Sequence, residues 1–318
     1  MNELNQSSFQ SSFQGTFRSP YVVIDDFLPL PAAENLRRGI EAHFETPETH
    51  RPNTHQVWNY WFVPKQYTYL RTNPEKIVER QHVERFMDAL RHWSALTLGM
   101  NEVTWPYLSL YVNGCRQGVH NDTTNGRFAF VYSLTRDDRK STGGETIIFH
   151  EGDLFRKGLR AAAAGSDFFT AIEPRFNRLV VFDDRLLHAV EQVDGPMDPL
   201  EGRLVMHGHL RNTGLAVKGA LPAEVIAPVT LETMLEFSAK AMSRIRLYSG
   251  ALILRFVIGA GGAVETCNVL VDRVVAHDLT SVGWEALAED LVTRFRKLQF
   301  PSAAGRTEVT QPITFGTG

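Results

Sequence analysis

A chain of 318 residues with a net charge of −3, 43% hydrophobic and 22% charged, has room for one large domain or two ordinary ones around a proper core. The slight acidity and the lack of a basic stripe argue against a nucleic-acid surface. The only two cysteines, Cys115 and Cys267, are far apart in sequence, show no metal-binding spacing and read as buried thiols in a reducing compartment.

Residues 1–20 repeat Ser, Gln and Phe without a basic start, an apolar core or a cleavage site, so a disordered tail is expected rather than a secretory signal. Residues 21–27 (YVVIDDF) read as a strand. Pro29 and Pro31 open a helix with Ala33, Leu36, Ile40 and Phe44 at helical spacing. Residues 45–73 show no clear period. Pro74 is expected to begin a second helix, lined by Ile77, Val83, Phe86, Leu90 and Trp93 and stopped by Gly99. From 107 to 211, short apolar runs (YLSLYV, FAFVYSL, ETIIFH, RLVVF, RLVMHGHL) alternate with turn residues, the pattern of an antiparallel barrel or jelly roll.

Residues 215–248 read as a linker running into a helix. Residues 251–258 and 264–271 read as two strands joined by GAGG. A helix with Trp284, Leu287, Leu291, Phe295 and Leu298 on one stripe follows, then a strand near 308–315. The fold class is therefore α+β: helices packed on a β core, 21–214, and a small ββαβ domain, 249–318. No run reaches the ~18 apolar residues of a membrane span, and a cytoplasmic protein is expected.

The strongest chemical signal is His120-Asn121-Asp122 followed, 66 residues after Asp122, by His188. Two imidazoles and one carboxylate form the facial triad of non-haem iron(II) oxygenases, leaving open positions for a bidentate keto-acid and O₂. On an extended segment, residues two apart point to the same side, so His120 and Asp122 can reach one ion. Such a triplet alone is a weak signal, and two His with one carboxylate can also hold zinc in a hydrolase. Arg203, fifteen residues after His188, sits on an apolar strand where a planar, permanently charged fork would pair with a buried carboxylate. Strand parity puts Val205, His207 and His209 on its face, with His207 read as a satisfied core histidine or a pocket residue.

In order and rough spacing, 107–211 resembles the prolyl-hydroxylase group of iron/2-oxoglutarate dioxygenases. The carrying motifs are Tyr111-Val112-Asn113-Gly114, His120-Asn121-Asp122, FVYSL, Gly143-Gly144-Glu145-Thr146, IEPRFNRLVVF, His188-Ala189-Val190 and Gly202-Arg203. The resemblance implies a double-stranded β-helix and iron(II) at His120, Asp122 and His188. It further implies 2-oxoglutarate on Arg203 with Tyr111 as a hydrogen-bond donor, O₂ as oxidant and ascorbate as a candidate reductant. Ser133 stands where some relatives carry a second Tyr that touches the co-substrate, and VDGPMDPLEG is longer than usual. Halogenating relatives lack the acidic ligand, so Asp122 favours hydroxylation.

Aromatics in 53–70 form either a substrate lid or helix packing, and Asn125, Arg127 and 136–140 either meet an acidic substrate or are solvated. The C-terminal stretches SGALILRFVIGAGGAVETCNVL and FRKLQFPSAAGRTEVTQPITF resemble the AgmX/PglI-type domain, similar to the TonB C-terminal fold. That implies contact with a protein or peptide substrate, or a homodimer through an open sheet edge; His277 and Asp278 read as structural. The expected function is hydroxylation of an amino-acid residue in a peptide or protein. The alternatives are a hydroxylase of a free amino acid or small natural product, and a non-catalytic β-barrel adaptor.

Overall fold

The computed structural model describes residues 21–45, 57–122, 125, 127–149, 168–276 and 283–316. The expected tail at 1–20 and the His277–Asp278 pair lie outside the described residues. The first part of the chain forms β1 (Tyr21–Ile24), α1 (Leu30–Glu45), β2 (Asn59–Val63), β3 (Tyr67–Thr72), α2 (Arg80–Leu98) and β4 (Met100–Val103). There follow β5 (Tyr107–Tyr111), β6 (Arg116–His120), β7 (Phe128–Ser133), β8 (Thr146–Phe149) and β9 (Phe169–Ile172), then β10 (Leu179–Asp183), β11 (His188–Val190) and β12 (Arg203–Thr213).

α1 buries Ala33, Leu36 and Ile40, and α2 buries Val83, Phe86 and Leu90, as their apolar periods predict. Each such large apolar side chain contributes about 1.5–3 kcal/mol on burial. Gly99 closes α2 in the left-handed region, at φ 63°. The expected start at Pro74 is corrected: Pro74–Lys76 form a 3₁₀ turn and the helix begins at Arg80. Between them Val78 is buried against Gly39 of α1, where even a Cβ would come within 3.2 Å.

The twelve strands form one antiparallel sheet in the order β1-β10-β7-β12-β5-β3-β6-β11-β8-β9, with β2 on β3 and β4 on β12. The sheet curls on itself. Ala129, Val180 and Phe182 near one end share an apolar cluster with Ile148 and Ile172 of β8 and β9 at the other. The aperiodic region before α2 turns out to hold the β2–β3 hairpin, from Asn59↔Arg71 to Val63↔Tyr67.

The rest of the chain forms β13 (Ala216–Gly219), α3 (Ala223–Ile245), β14 (Tyr248–Ile258), β15 (Val264–Ala276), α4 (Trp284–Arg296) and β16 (Thr307–Phe315). Its strands make a second antiparallel sheet, β13-β16-β14-β15. Residues 216–219, expected in a linker, are a strand paired with β16. Trp284, Leu287, Leu291 and Phe295 of α4 pack on one side of this sheet with Phe256 and Phe315. Ile253, Leu270 and Val271 instead join the core cluster of α1, α2 and the large sheet. No helix among the described residues is long and apolar enough to cross a membrane.

Candidate active site

β6 and β11 are antiparallel neighbours, and their register sets His120 directly opposite His188, ring centroids 4.1 Å apart. Asp122 lies two residues past the end of β6. Its backbone N–H donates to the Asp184 carbonyl at 3.0 Å, and its Oδ1 accepts from the Asn125 amide at 3.3 Å. One ligand atom from each of His120, Asp122 and His188 lies within 4.8 Å of the others.

The hydrogen bonds fix the imidazole tautomers. His120 Nδ1 donates to the Gly118 carbonyl at 2.8 Å and His188 Nδ1 to the Leu186 carbonyl at 3.0 Å. A carbonyl can only accept, so both Nδ1 atoms carry the proton and both Nε2 atoms turn to the cluster. His188 Nε2 then stands 3.4 Å from Asp122 Oδ2. A lone pair facing a carboxylate oxygen at that distance calls for a proton or a cation between them. Burial pulls the Asp122 carboxyl upward, but the hydrogen bond and charge of His188, with His209 and His120, bring it down to about 2. Burial and the neighbouring His188 lower the His120 imidazole. Two imidazoles that turn Nε2 inward and one carboxylate are a donor set that fits iron(II).

Arg203 begins β12 opposite Tyr111 of β5 and is 2% exposed. Its Nη2 donates to Thr146 Oγ1 at 3.1 Å and its Cζ lies 4.8 Å from the Tyr111 ring centre. Its buried Nε has no acceptor, and among the described residues no carboxylate forms an ion pair with it. Burial accordingly lowers the guanidinium. An uncompensated buried cation is costly, so the strand offers a fixed site to an incoming carboxylate. Gly144 makes this possible: at φ +78° its Cα lies so close that an added Cβ would meet Arg203 Cδ at 3.0 Å.

Tyr111 is fully enclosed; its hydroxyl donates to Gln117 Oε1 at 3.1 Å, while the Gln117 amide donates to His120 Nε2 at 3.0 Å. Burial raises the Tyr111 phenol, keeping it a protonated donor. Ser133 pairs with Val205 on the inner face, but its Oγ accepts the Thr135 N–H at 3.2 Å. His207 is satisfied by Ser109 Oγ at 2.8 Å and is pushed down to about 3 by burial, Arg71 and Arg203. Arg136 braces α1 through Glu34 and Glu41, and Arg211 donates to the Asn125 carbonyl.

The structure thus brings His120, Asp122 and His188 together and puts Arg203 and Tyr111 on the adjoining wall. It adds Gln117 and Asp184, which sequence reasoning missed, and gives Thr146 and His209 their partners, Arg203 and Asp184 (3.3 Å). Burial raises the Asp184 carboxyl to about 6 despite His209. Parity along β12 gave His209 its face, but nothing local announced Asp184.

The family described as the 2OG-Fe(II) oxygenase superfamily matches residues 107–211. No curated protein matches the chain. Among solved structures, the chain is similar to a prolyl hydroxylase of Trichoplax adhaerens in complex with a hypoxia inducible factor oxygen degradation domain peptide fragment. The identity is 14%, over 59% of this chain and 81% of that one, with a TM-score of 0.42. It is similar to a Pseudomonas putida prolyl-4-hydroxylase at 19% identity, over 61% and 92%, TM-score 0.42. It is also similar to the α-ketoglutarate-dependent carbocyclase SnoK from nogalamycin biosynthesis at 12% identity, over 60% and 78%, TM-score 0.42. With the family match over 107–211 and the His-Asp-His cluster in place, the protein carries a 2OG-Fe(II) oxygenase domain and is a 2-oxoglutarate-dependent oxygenase with iron(II) and 2-oxoglutarate as its cofactors.

Proposed function

We propose that this enzyme hydroxylates an unactivated C–H bond on an amino-acid residue of a peptide or protein. In this reading His120, Asp122 and His188 hold iron(II), Arg203 anchors 2-oxoglutarate, and Tyr111 donates a hydrogen bond to it. Bound iron(II) and 2-oxoglutarate supply the oxidising power, with succinate and carbon dioxide as co-products. The chain's own work is to orient and to exclude water. The Gly118 and Leu186 carbonyls hold the two imidazoles, while the fully buried Arg203 and Tyr111 form a dry wall.

The observation that carries the peptide reading is β2. Among the described residues it pairs only with β3, which leaves the other edge of its backbone without a strand, and all five of its residues are exposed, Tyr60, Trp61 and Phe62 among them. Its partner β3 carries Tyr67 beside His120 (5.7 Å) and Tyr69 stacked on Tyr111 (5.1 Å). An extended chain added to this edge would lie on the hairpin that flanks the metal cluster. We read 249–318 as a TonB C-terminal-like unit beyond the 215–248 segment, with β15, the edge strand among the described residues, as the site for substrate, a protein partner or a second copy.

The test supplies iron(II), ascorbate and 2-oxoglutarate. Succinate should form slowly without substrate and faster with a peptide library, with one oxygen atom gained by the modified peptides. Oxygen gained only by free amino acids or small natural products would transfer the assignment to that class.

A further inference from the structure

Alternate residues of β3 share a face, and Tyr67 and Tyr69 mark it as the one turned to His120 and Tyr111. Arg71 is next on that face. It pairs with Ser109 of β5, whose hydroxyl meets His207. Its guanidinium is sandwiched, 3.8 Å from the Trp61 ring centre and 4.0 Å from that of Tyr107. The two rings are 40% and 42% exposed, so the sandwich stands at the rim.

The other half-buried or buried arginines near the core end on acceptors. Arg37 reaches the Leu134 and Leu200 carbonyls, Arg136 reaches Glu34 and Glu41, and Arg185 reaches Asp183. Among the described residues Arg71 has neither an ion pair nor a hydrogen-bond acceptor. Two aromatic rings within 4.0 Å of Cζ restrict the guanidinium by cation–π contact. Rings accept none of its N–H donors in the plane of the fork, and those donors match the two oxygens of a carboxylate. A strut would not need these donors free, and a lysine could not be clamped this way.

We propose that Arg71, clamped by Trp61 and Tyr107, receives a carboxylate of the organic substrate, so that the enzyme selects peptides bearing an acidic side chain or a free C-terminus. This rests on the oxygenase reading above, since it takes the face around His120 as the substrate side. Arg203, enclosed beside Tyr111 and Thr146, is the deeper cation and serves 2-oxoglutarate; Arg71, at the rim, serves the second reactant.

The test uses the full-length protein under nitrogen, with manganese(II) in place of iron and with 2-oxoglutarate. It is titrated with matched pools of short fluorescent peptides: central Glu against central Gln, and C-terminal acid against C-terminal amide. Binding is read by polarisation. A carboxylate should tighten binding by about tenfold or more, as a bidentate charged pair does, and Arg71→Gln should bring the preference to within about twofold. A preference in the first arm identifies an acidic side chain and in the second a chain terminus. No preference in either arm with the wild-type protein overturns the proposal without any variant being needed. Persistence of the preference in Arg71→Gln, melting like wild type, also overturns it. The oxygenase reading is judged separately, by succinate formation from 2-oxoglutarate alone in the wild-type protein with iron.

Discussion

Replacing Arg273 by methionine removes one of the two guanidinium groups that neutralise Asp183. Both partners are 2% exposed. Asp183 Oδ2 lies 3.1 Å from Arg273 Nε and 2.5 Å from Arg185 Nη2, and Oδ1 accepts from Arg185 Nε at 2.9 Å and from its backbone N–H at 3.0 Å. Breaking a buried pair from one side costs about 3–5 kcal/mol. Arg185 remains in place and methionine keeps much of the stem, so the lower end, about 3 kcal/mol, is expected in urea unfolding at pH 7. The pH dependence has a definite sign. Burial pulls the Asp183 carboxyl up, but Arg185 and Arg273 hold it below its ordinary value. Its stabilisation is therefore present above the unfolded-chain value near ~4 and fades as pH falls through the lower folded value. The gap between wild type and variant should narrow below about pH 4. A loss under about 1 kcal/mol, the scale of an exposed pair, or a gap that stays constant into acid, would refute the reasoning.

Four further outcomes are expected. His120→Ala, Asp122→Ala or His188→Ala should abolish cobalt(II) binding followed by its visible absorption, and retained affinity would move the metal elsewhere. Arg203→Met should raise the 2-oxoglutarate requirement by at least about tenfold, since hydrogen bonds to charged groups contribute roughly 1.5–3 kcal/mol; an unchanged requirement in succinate assays would point to another cation. Gly144→Ala puts a Cβ against Arg203 Cδ (3.0 Å) and Val193 Cγ2 (3.2 Å) at a φ of +78°, so it should cost about 1–2 kcal/mol of stability and also raise that requirement. Burial pushes the Cys267 thiol up to about 11 and Cys115 in the same direction, so both stay neutral at pH 8 and should resist iodoacetamide in the native protein while reacting in urea. Rapid native labelling, read by mass spectrometry, would contradict their enclosure.

The His-Asp-His cluster was legible because its parts are local or flanked by strong signals. His120 and Asp122 are two residues apart, and His188 follows the wholly buried strand Leu179–Asp183. Arg203 stood out as a charge at the head of an apolar run. The short strands β6, β9 and β11 were not legible. β6 (RQGVH) has no alternation of its own and is a strand because β3 and β11 pair with it. The β2–β3 hairpin hid for a related reason: β2 is aromatic yet exposed throughout, so its side chains carry no period-two contrast. Asp184 was invisible because its partner His209 is 25 residues away in the chain and comes near it only through the pairing of β10 and β12 with β7, where Phe182 and His209 both flank Ala129.

The change of texture after Arg211 suggests a module joined by a linker, and the packing shows which faces of its sheet meet other elements. A sheet must bury each apolar face against something. On one side of β14–β16 that partner is α4; on the other, Ile253, Leu270 and Val271 enter the cluster that also holds Phe86, Leu90 and Leu108. Gly99, at the end of α2, would meet Pro312 at 2.8 Å with any added Cβ, and Thr310 donates to the Leu96 carbonyl. Arg185 then ties the second sheet in by donating to the Ser249 and Arg273 carbonyls while it holds Asp183. Asp184 follows directly, and its carbonyl receives the Asp122 N–H. A contact made for burial by the C-terminal sheet therefore ends one residue from the backbone that fixes the Asp122 carboxylate, and the outer sheet supports the His-Asp-His cluster.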